Sequence, residues 1–116
     1  VDNDEPFDPK ELLALLEISC KTSYESVYDK KYTGWVSYDE YFFYLTKGIH
    51  DRAGKPASIN KDNGKLTWIK NGNYHRLDGP ATEEGWFYVE GVKYSEQEYW
   101  NHPMVVKYKL EKILEV

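Results

Sequence analysis

Apolar and polar positions follow two rhythms along this chain, helical near both ends and strand-like between them. Near the start, Leu12, Leu15, Leu16 and Ser19, with Leu13 and Cys20 alongside, recur at the spacing of one helix face. Asp8 stands where an N-cap accepts from exposed amides, Pro9 suits the first helical position, and Glu11 completes a capping box. Phe7, ahead of the cap, is placed to staple onto Leu12. The pattern predicts a helix over residues 9–20.

The next segments read two ways. Tyr24, Tyr28 and Tyr32 fall four apart with Val27 between them, which predicts a second helix ending near Gly34, although tyrosine favours strands as well. Ser37 to Glu40 forms another capping box before Tyr41, Phe42, Tyr44 and Leu45, with Gly48 as the C-cap of a helix. The same aromatic run over 41–47 also suits a strand buried on both faces.

From residue 48 to residue 94 glycines punctuate short β-rich runs, and Asn63-Gly64, Asn71-Gly72 and Asp78-Gly79 are turn dipeptides. Residues 66–69 and 86–89 read as strands of an antiparallel meander, with Pro56 and Pro80 confined to strand starts or edges. The tail returns to helix. Ser95 to Glu98 caps a short turn carrying Tyr99 and Trp100, which stops near Pro103. Val106, Leu110, Ile113 and Leu114 then mark one face of a final helix, and the alternation of Val106, Tyr108 and Leu110 leaves a strand open there. The predicted class is α+β in one domain: an acidic helical part over 1–40, two to three imperfect hairpin repeats over 41–94, and a helical tail over 95–116.

An internal repeat underlies the middle. A shift of 24 residues lays Gly48 on Gly72, Arg52 on Arg76, Pro56 on Pro80, Ala57 on Ala81, and Tyr44-Leu45 on Trp68-Ile69. A truncated third copy begins at Phe87 and reaches Gly91. Such units do not bury an apolar face alone, so neighbours must pair edge to edge.

The middle copy runs from Trp68 through Asn71, Gly72, His75, Arg76, Asp78, Gly79 and Pro80 to Ala81. It resembles the W-x-x-N-G-x-x-H-R-x-D-G-P-A repeat of small proteins from tailed bacteriophages, giant viruses and some bacteria. The closing stretch from Gly91 to Trp100 also resembles how such proteins end, and the likeness spans about residues 41–103. In the first copy Asp51 stands in place of the His, Gly54 in place of the Asp and Lys55 in place of the Gly; the third lacks the second half of the motif. The resemblance implies phage or viral association and a binding role, with no catalytic activity to carry over.

Charge is uneven. Residues 1–40 hold ten acids and four bases, whereas residues 41–116 hold ten acids and eleven bases, for a net charge of −5. That balance weighs against gripping a nucleic-acid backbone, whose phosphates attract basic surfaces. The acidic part either is a solvated face or meets a basic partner. A lone Cys20 excludes an intramolecular disulfide and Cys-based zinc, and points to a reducing, cytoplasmic setting. No signal-peptide pattern and no membrane-length apolar run occurs.

Candidate chemistry centres on His75, Arg76 and Asp78. A histidine beside a carboxylate invites acid–base work. Yet an aspartate before glycine also bonds turn amides and pairs with a nearby arginine, and a motif used several times in one chain reads as a fold-building turn. Asn71, Gly72, His75, Arg76, Asp78, Gly79 and Pro80 are therefore assigned to a structural turn. His50, Asp51, His75 and His102 show no metal-ligand spacing, so neither metal nor cofactor is expected.

Tyrosine abundance points elsewhere: 19 of 116 residues are aromatic, more than so small a domain buries. Tyr, Trp and Arg dominate binding hot spots. Tyr24, Tyr28, Tyr32, Trp35, Tyr88 and Trp100 are the candidate contact residues. The expected function is a non-enzymatic, phage-type module that binds a host or viral protein, such as a defence or toxin component, as inhibitor or modulator. A virion assembly component, self-associating through strand edges, and an enzyme using His75 and Asp78 are the alternatives.

Overall fold

The computed structural model describes residues 8–52 and 54–115, so the Phe7 staple lies outside the described residues. Helix α1 spans Pro9–Ser19, with Asp8 accepting from the Lys10 amide at 2.9 Å. Leu12 and Leu16 are its buried line, whereas Leu15 and Ser19 lie exposed, so the apolar stripe is narrower than its spacing implied. The second helix is a single turn, α2 (Tyr24–Val27), and a strand, β1 (Gly34–Tyr38), follows within what was expected to be an all-helical part.

Residues 41–46, which read as either helix or strand, are a strand. The capping-box spacing there belongs to a hairpin, because β2 (Tyr41–Thr46) pairs antiparallel with β1 through Tyr38↔Tyr41 and Gly34↔Leu45. Tertiary pairing decides what local propensity leaves open. Its alternating side chains then meet two covers. Phe42 joins Leu12, Leu16 and Ile59 under α1, while Leu45, with Phe43 against it, joins Val36 and Val27 under α2. Each cover needs one face of the strand, and the period of two supplies both.

The repeat governs the rest. Strand β3 (Ile49–His50) returns along the rear half of β2, with Leu45↔His50 and Thr46↔Ile49 in register. Strand β4 (Ser58–Asn60) lies along the front half, with Phe42↔Ile59. The edge of β2 away from β1 thus serves two partners. The second copy keeps the hairpin but not the other pairing: β6 (Ile69–Lys70) pairs with β7 (Asn73–Tyr74) in the register Ile69↔Tyr74, Lys70↔Asn73, whereas β5 (Leu66–Thr67) pairs with the first copy's β4, and residues 82–84, which the repeat lays on β4, form no strand. In the third, β8 (Phe87–Val89) and β9 (Val92–Tyr94) form the hairpin, with Tyr88↔Lys93 and Val89↔Val92.

Single rungs join successive copies. The Gly72 amide donates to the His50 carbonyl at 2.8 Å, and the Gly91 amide to the Tyr74 carbonyl at 2.9 Å. Likewise the Arg52 amide donates to Ile69 at 3.0 Å and the Arg76 amide to Tyr88 at 3.2 Å. Each repeat hairpin turns through two residues of positive φ, Lys47-Gly48, Asn71-Gly72 and Glu90-Gly91, as a type I′ turn requires. Asn63-Gly64 instead ends a longer loop, in which the Asn60 side chain accepts from the Asp62 amide at 2.8 Å.

Both ends of this ribbon are capped. At one, the Gly48 amide donates to the Tyr32 carbonyl at 2.8 Å. At the other, α3 (Glu96–Trp100), closed by a Ser95–Glu98 capping box, and α4 (Pro103–Leu114) cover the third hairpin. Tyr99, Val89 and Val105 form that core. Capped terminal repeats of this kind protect the edges a solenoid would otherwise expose. The final helix docks by its first two turns. Val105 is buried, but Val106, Leu110, Ile113 and Leu114, the face its spacing marked as apolar, point outward with exposures of 40, 54, 59 and 81 %.

Candidate functional site

Arginine, proline and an aromatic ring hold each of the first two repeats closed. In the first copy the Arg52 guanidinium donates to the Pro56 carbonyl at 3.2 Å and lies 4.5 Å from the Tyr44 ring and 5.3 Å from Trp35. In the second, Arg76 donates to the Pro80 carbonyl at 3.0 Å and lies 3.5 Å from the Trp68 ring. The ring sits where the long strand changes partner, so the arginine bridges the gap between its two ladders. Cation–π contact and a charge-assisted hydrogen bond act together there.

Asp78 accepts from Arg76 Nε at 2.7 Å. It does not bond the turn amide that its position before glycine predicted. The Gly79 amide donates instead to the Tyr99 hydroxyl at 3.2 Å, and that hydroxyl in turn donates to the Arg76 carbonyl. Nor does Asp78-Gly79 turn a hairpin. Gly79 has no positive φ; a Cβ there would lie 3.0 Å from the Arg76 guanidinium carbon, so glycine leaves room for the guanidinium's close approach. Burial of the Tyr99 hydroxyl raises its pKa.

His75 belongs to the next rung. Its Nδ1 accepts from the Glu90 amide at 2.9 Å, which requires an unprotonated Nδ1 and places the proton of the neutral ring on Nε2. Burial, followed by the nearby Lys70, lowers its pKa. His75, Arg76 and Asp78 do line one cavity of about 190 Å³, together with Trp68, Lys70 and Tyr108. Within it the carboxylate serves the arginine and the imidazole serves a backbone amide, so the pair does not form the hydrogen-bonded dyad that acid–base catalysis uses. Among the described residues no group of three His, Cys, Asp or Glu side chains is placed to hold a metal ion.

The six candidate contact aromatics fall in separate places. Tyr24 and Tyr28 lie together, ring centroids 6.4 Å apart. Tyr32 packs on the Val27 core and donates to the Trp35 carbonyl at 3.3 Å. Trp35 lies across the sheet, edge-on to Tyr44 at 5.5 Å. Tyr88 meets Tyr74 at 5.1 Å on the last two hairpins, and Trp100 meets Phe87 at 6.0 Å beside α4.

Around Tyr24 the structure adds rings that were not singled out. Tyr24 lies 5.3 Å from Tyr38 and 6.1 Å from His50; Phe43 lies 4.7 Å from His50, 6.4 Å from Tyr38 and 5.5 Å from Tyr41. Tyr28 is 65 % exposed and Tyr38 44 %. A tier of touching rings thus runs from α2 across the sheet, flanked by exposed Glu25 and Asp29. Sequence spacing missed it because Tyr38, Tyr41 and Phe43 come together only once 41–46 is a strand, where alternate residues share a face. Burial lowers the pKa of His50 within the tier.

No family model, no curated protein and no solved structure matches the chain. Among the described residues no helix is long and apolar enough to cross a membrane.

Proposed function

We propose that this chain is a non-enzymatic protein-binding module of the phage or viral type that its repeat resembles, blocking or redirecting a host or viral protein such as a defence or toxin component. One observation carries the reading: the contiguous ring tier of Tyr28, Tyr24, Tyr38, Phe43 and Tyr41 reaches the surface while its neighbours Glu25 and Asp29 add negative charge. Aromatic area with polar tips, at small entropic cost, is what binding hot spots use. The charge favours a basic partner surface and steers encounter toward it. In the cavity His75 accepts from a backbone amide and Asp78 holds Arg76, the structural roles that the turn reading gives them.

Affinity capture from the native host, with wild type beside a Tyr28→Ala, Tyr38→Ala double variant, tests it. A protein retained by wild type and released by the variant, with a loss of about ten-fold or more in affinity, is expected. Equal retention by both overturns the assignment of the surface. A second reading, an assembly component, draws support from the outward row Val106, Leu110, Ile113 and Leu114. A monomeric mass at high concentration overturns that one.

A further inference from the structure

Beyond the ring tier, the molecule holds a second recessed surface whose charge is opposite in sign to the protein's own. The cavity beside the second hairpin is lined, among the described residues, by Arg52, Lys70 and Arg76 and by the carboxylate of Asp78, which Arg76 Nε already holds at 2.7 Å. With Arg76 and Asp78 paired to each other, Lys70 here and Lys109 farther along supply the positive charge in a chain whose net charge is −5, while Glu90 lines the neighbouring recess beside Lys70 and His75. Through Leu77, Asp78 and Tyr108 the cavity continues into a wider groove of about 660 Å³, walled by Trp100 and Ile113 and edged by Lys109 and Lys112. Among the described residues neither Lys70 nor Lys109 has an ion-pair partner, whereas Lys112 pairs with Glu115 at 3.4 Å.

We infer that this cleft binds an acidic–apolar peptide segment of a protein partner, a carboxylate side chain entering the cavity and an apolar one lying against Trp100 and Ile113. Size and charge select that occupant. A volume of about 190 Å³ falls below the roughly 300 Å³ at which sites for small organic ligands begin, and matches a side-chain end rather than a nucleotide. The bond from Glu90 to His75 Nδ1 leaves the Nε2 proton as a donor, and Tyr108 adds a hydroxyl. Base stacking has little to use here, because the Trp68 face is covered by the Arg76 guanidinium at 3.5 Å. The apolar wall, with Trp100 40 % and Ile113 59 % exposed, gives a peptide the second anchor that a free anion lacks.

A titration followed by tryptophan fluorescence and NMR tests the inference, with a capped pentapeptide alternating glutamate and leucine as probe. Its glutamine counterpart, inorganic phosphate and a short oligothymidylate serve as comparisons. The glutamate peptide is expected to bind, shifting the signals of Trp100 and His75, with the glutamine peptide about ten-fold weaker and the difference shrinking as salt rises. A Lys70→Gln, Lys109→Gln variant, altered only at exposed ammonium groups and checked for an unchanged melt, is expected to lose about ten-fold as well. Equal binding of the glutamine peptide, or no binding at millimolar probe, overturns the site. Tighter binding of the oligothymidylate transfers it to nucleic acid, and phosphate alone binding as tightly as the glutamate peptide removes the apolar anchor; both overturn the peptide assignment.

Discussion

The first and second repeats differ in sequence at several positions of the motif, yet they share the hairpin and the bonds that close it. Tyr44 and Trp68 donate to the carbonyls of Ala57 and Ala81 at 2.7 and 2.8 Å, and both arginines hold the proline carbonyl four residues on. The His and the Asp that the first copy lacks each hold a specific group in the second. Arg52 is pinned by two rings, Trp35 and Tyr44, and is 6 % exposed. Arg76 has one ring, Trp68, and Asp78 completes its support. Similarly, His75 ties down the truncated third hairpin through Glu90. The lesson is that the turn glycine, arginine and proline carbonyl carry the fold, while His and Asp adjust it to its surroundings.

Glycine replacement separates the two copies most sharply. Gly48 and Gly72 share a positive φ, +82° and +78°, but a Cβ on Gly48 would meet the Lys30 carbonyl oxygen at 2.7 Å, whereas one on Gly72 would meet nothing within 4 Å. Gly48→Ala is expected to cost about 3 kcal/mol, combining left-handed strain with overlap against backbone. Gly72→Ala, with strain alone, is expected to cost about 1 kcal/mol. Thermal melts read these as drops of roughly 12 °C and 4 °C. Equal losses would mean that the first hairpin does not press on the segment before β1.

The arginines come next. Arg52→Met removes a buried charge-assisted hydrogen bond and two ring contacts, for an expected loss of about 2–3 kcal/mol. Arg76→Met is expected to lose about 1–2 kcal/mol, since its ion pair with Asp78 lies half in solvent and contributes under about 1 kcal/mol. Denaturant unfolding of both variants checks the order; a costlier Arg76 would make the ion pair, not the rings, the principal clasp. Tyr99→Phe, which strands the Gly79 amide and the Arg76 carbonyl, is expected to cost about 1–2 kcal/mol and to act on the second copy alone.

Much of this architecture was legible in the chain because the repeat is written in residues with steric necessity. Asn71-Gly72 announces its turn, and Asp8 and Ser95 announce helix starts that the structure has, whereas Pro103, read only as the stop of the short helix, also opens α4. The 41–46 segment was ambiguous for a physical reason: Phe42 and Leu45 are buried on opposite faces, so neither a clean alternation nor a clean helical stripe shows. The outward row of α4 was equally unreadable, because periodicity reveals an apolar face but not whether a neighbour reaches it. The cavity was hidden as well. Arg52, Lys70 and Tyr108 stand far apart in sequence, and only the stacking of hairpins against the last helix assembles them.

The smallest expected effect concerns acid. His75 is held neutral in the fold, its pKa lowered by burial first and by Lys70 second, with His102 adding to the shift and Glu90 opposing it. An unfolded histidine titrates near its ordinary value of about 6.5. The stabilisation from the neutral ring is therefore complete above that value and is lost as pH falls toward the lower folded pKa, where protonation also breaks the bond from the Glu90 amide. His50, lowered by burial, titrates in the same direction and adds its own slope. A His75→Asp variant imports the residue that the first copy carries at this position, Asp51. Melts at about pH 7.5 and about pH 5 are expected to show a smaller acid loss for this variant than for wild type, with the remaining slope due to His50 and the carboxylates. An unchanged difference between the two pH values would mean that His75 does not lock the third hairpin, and that the contrast between the copies there is one of sequence without energetic consequence.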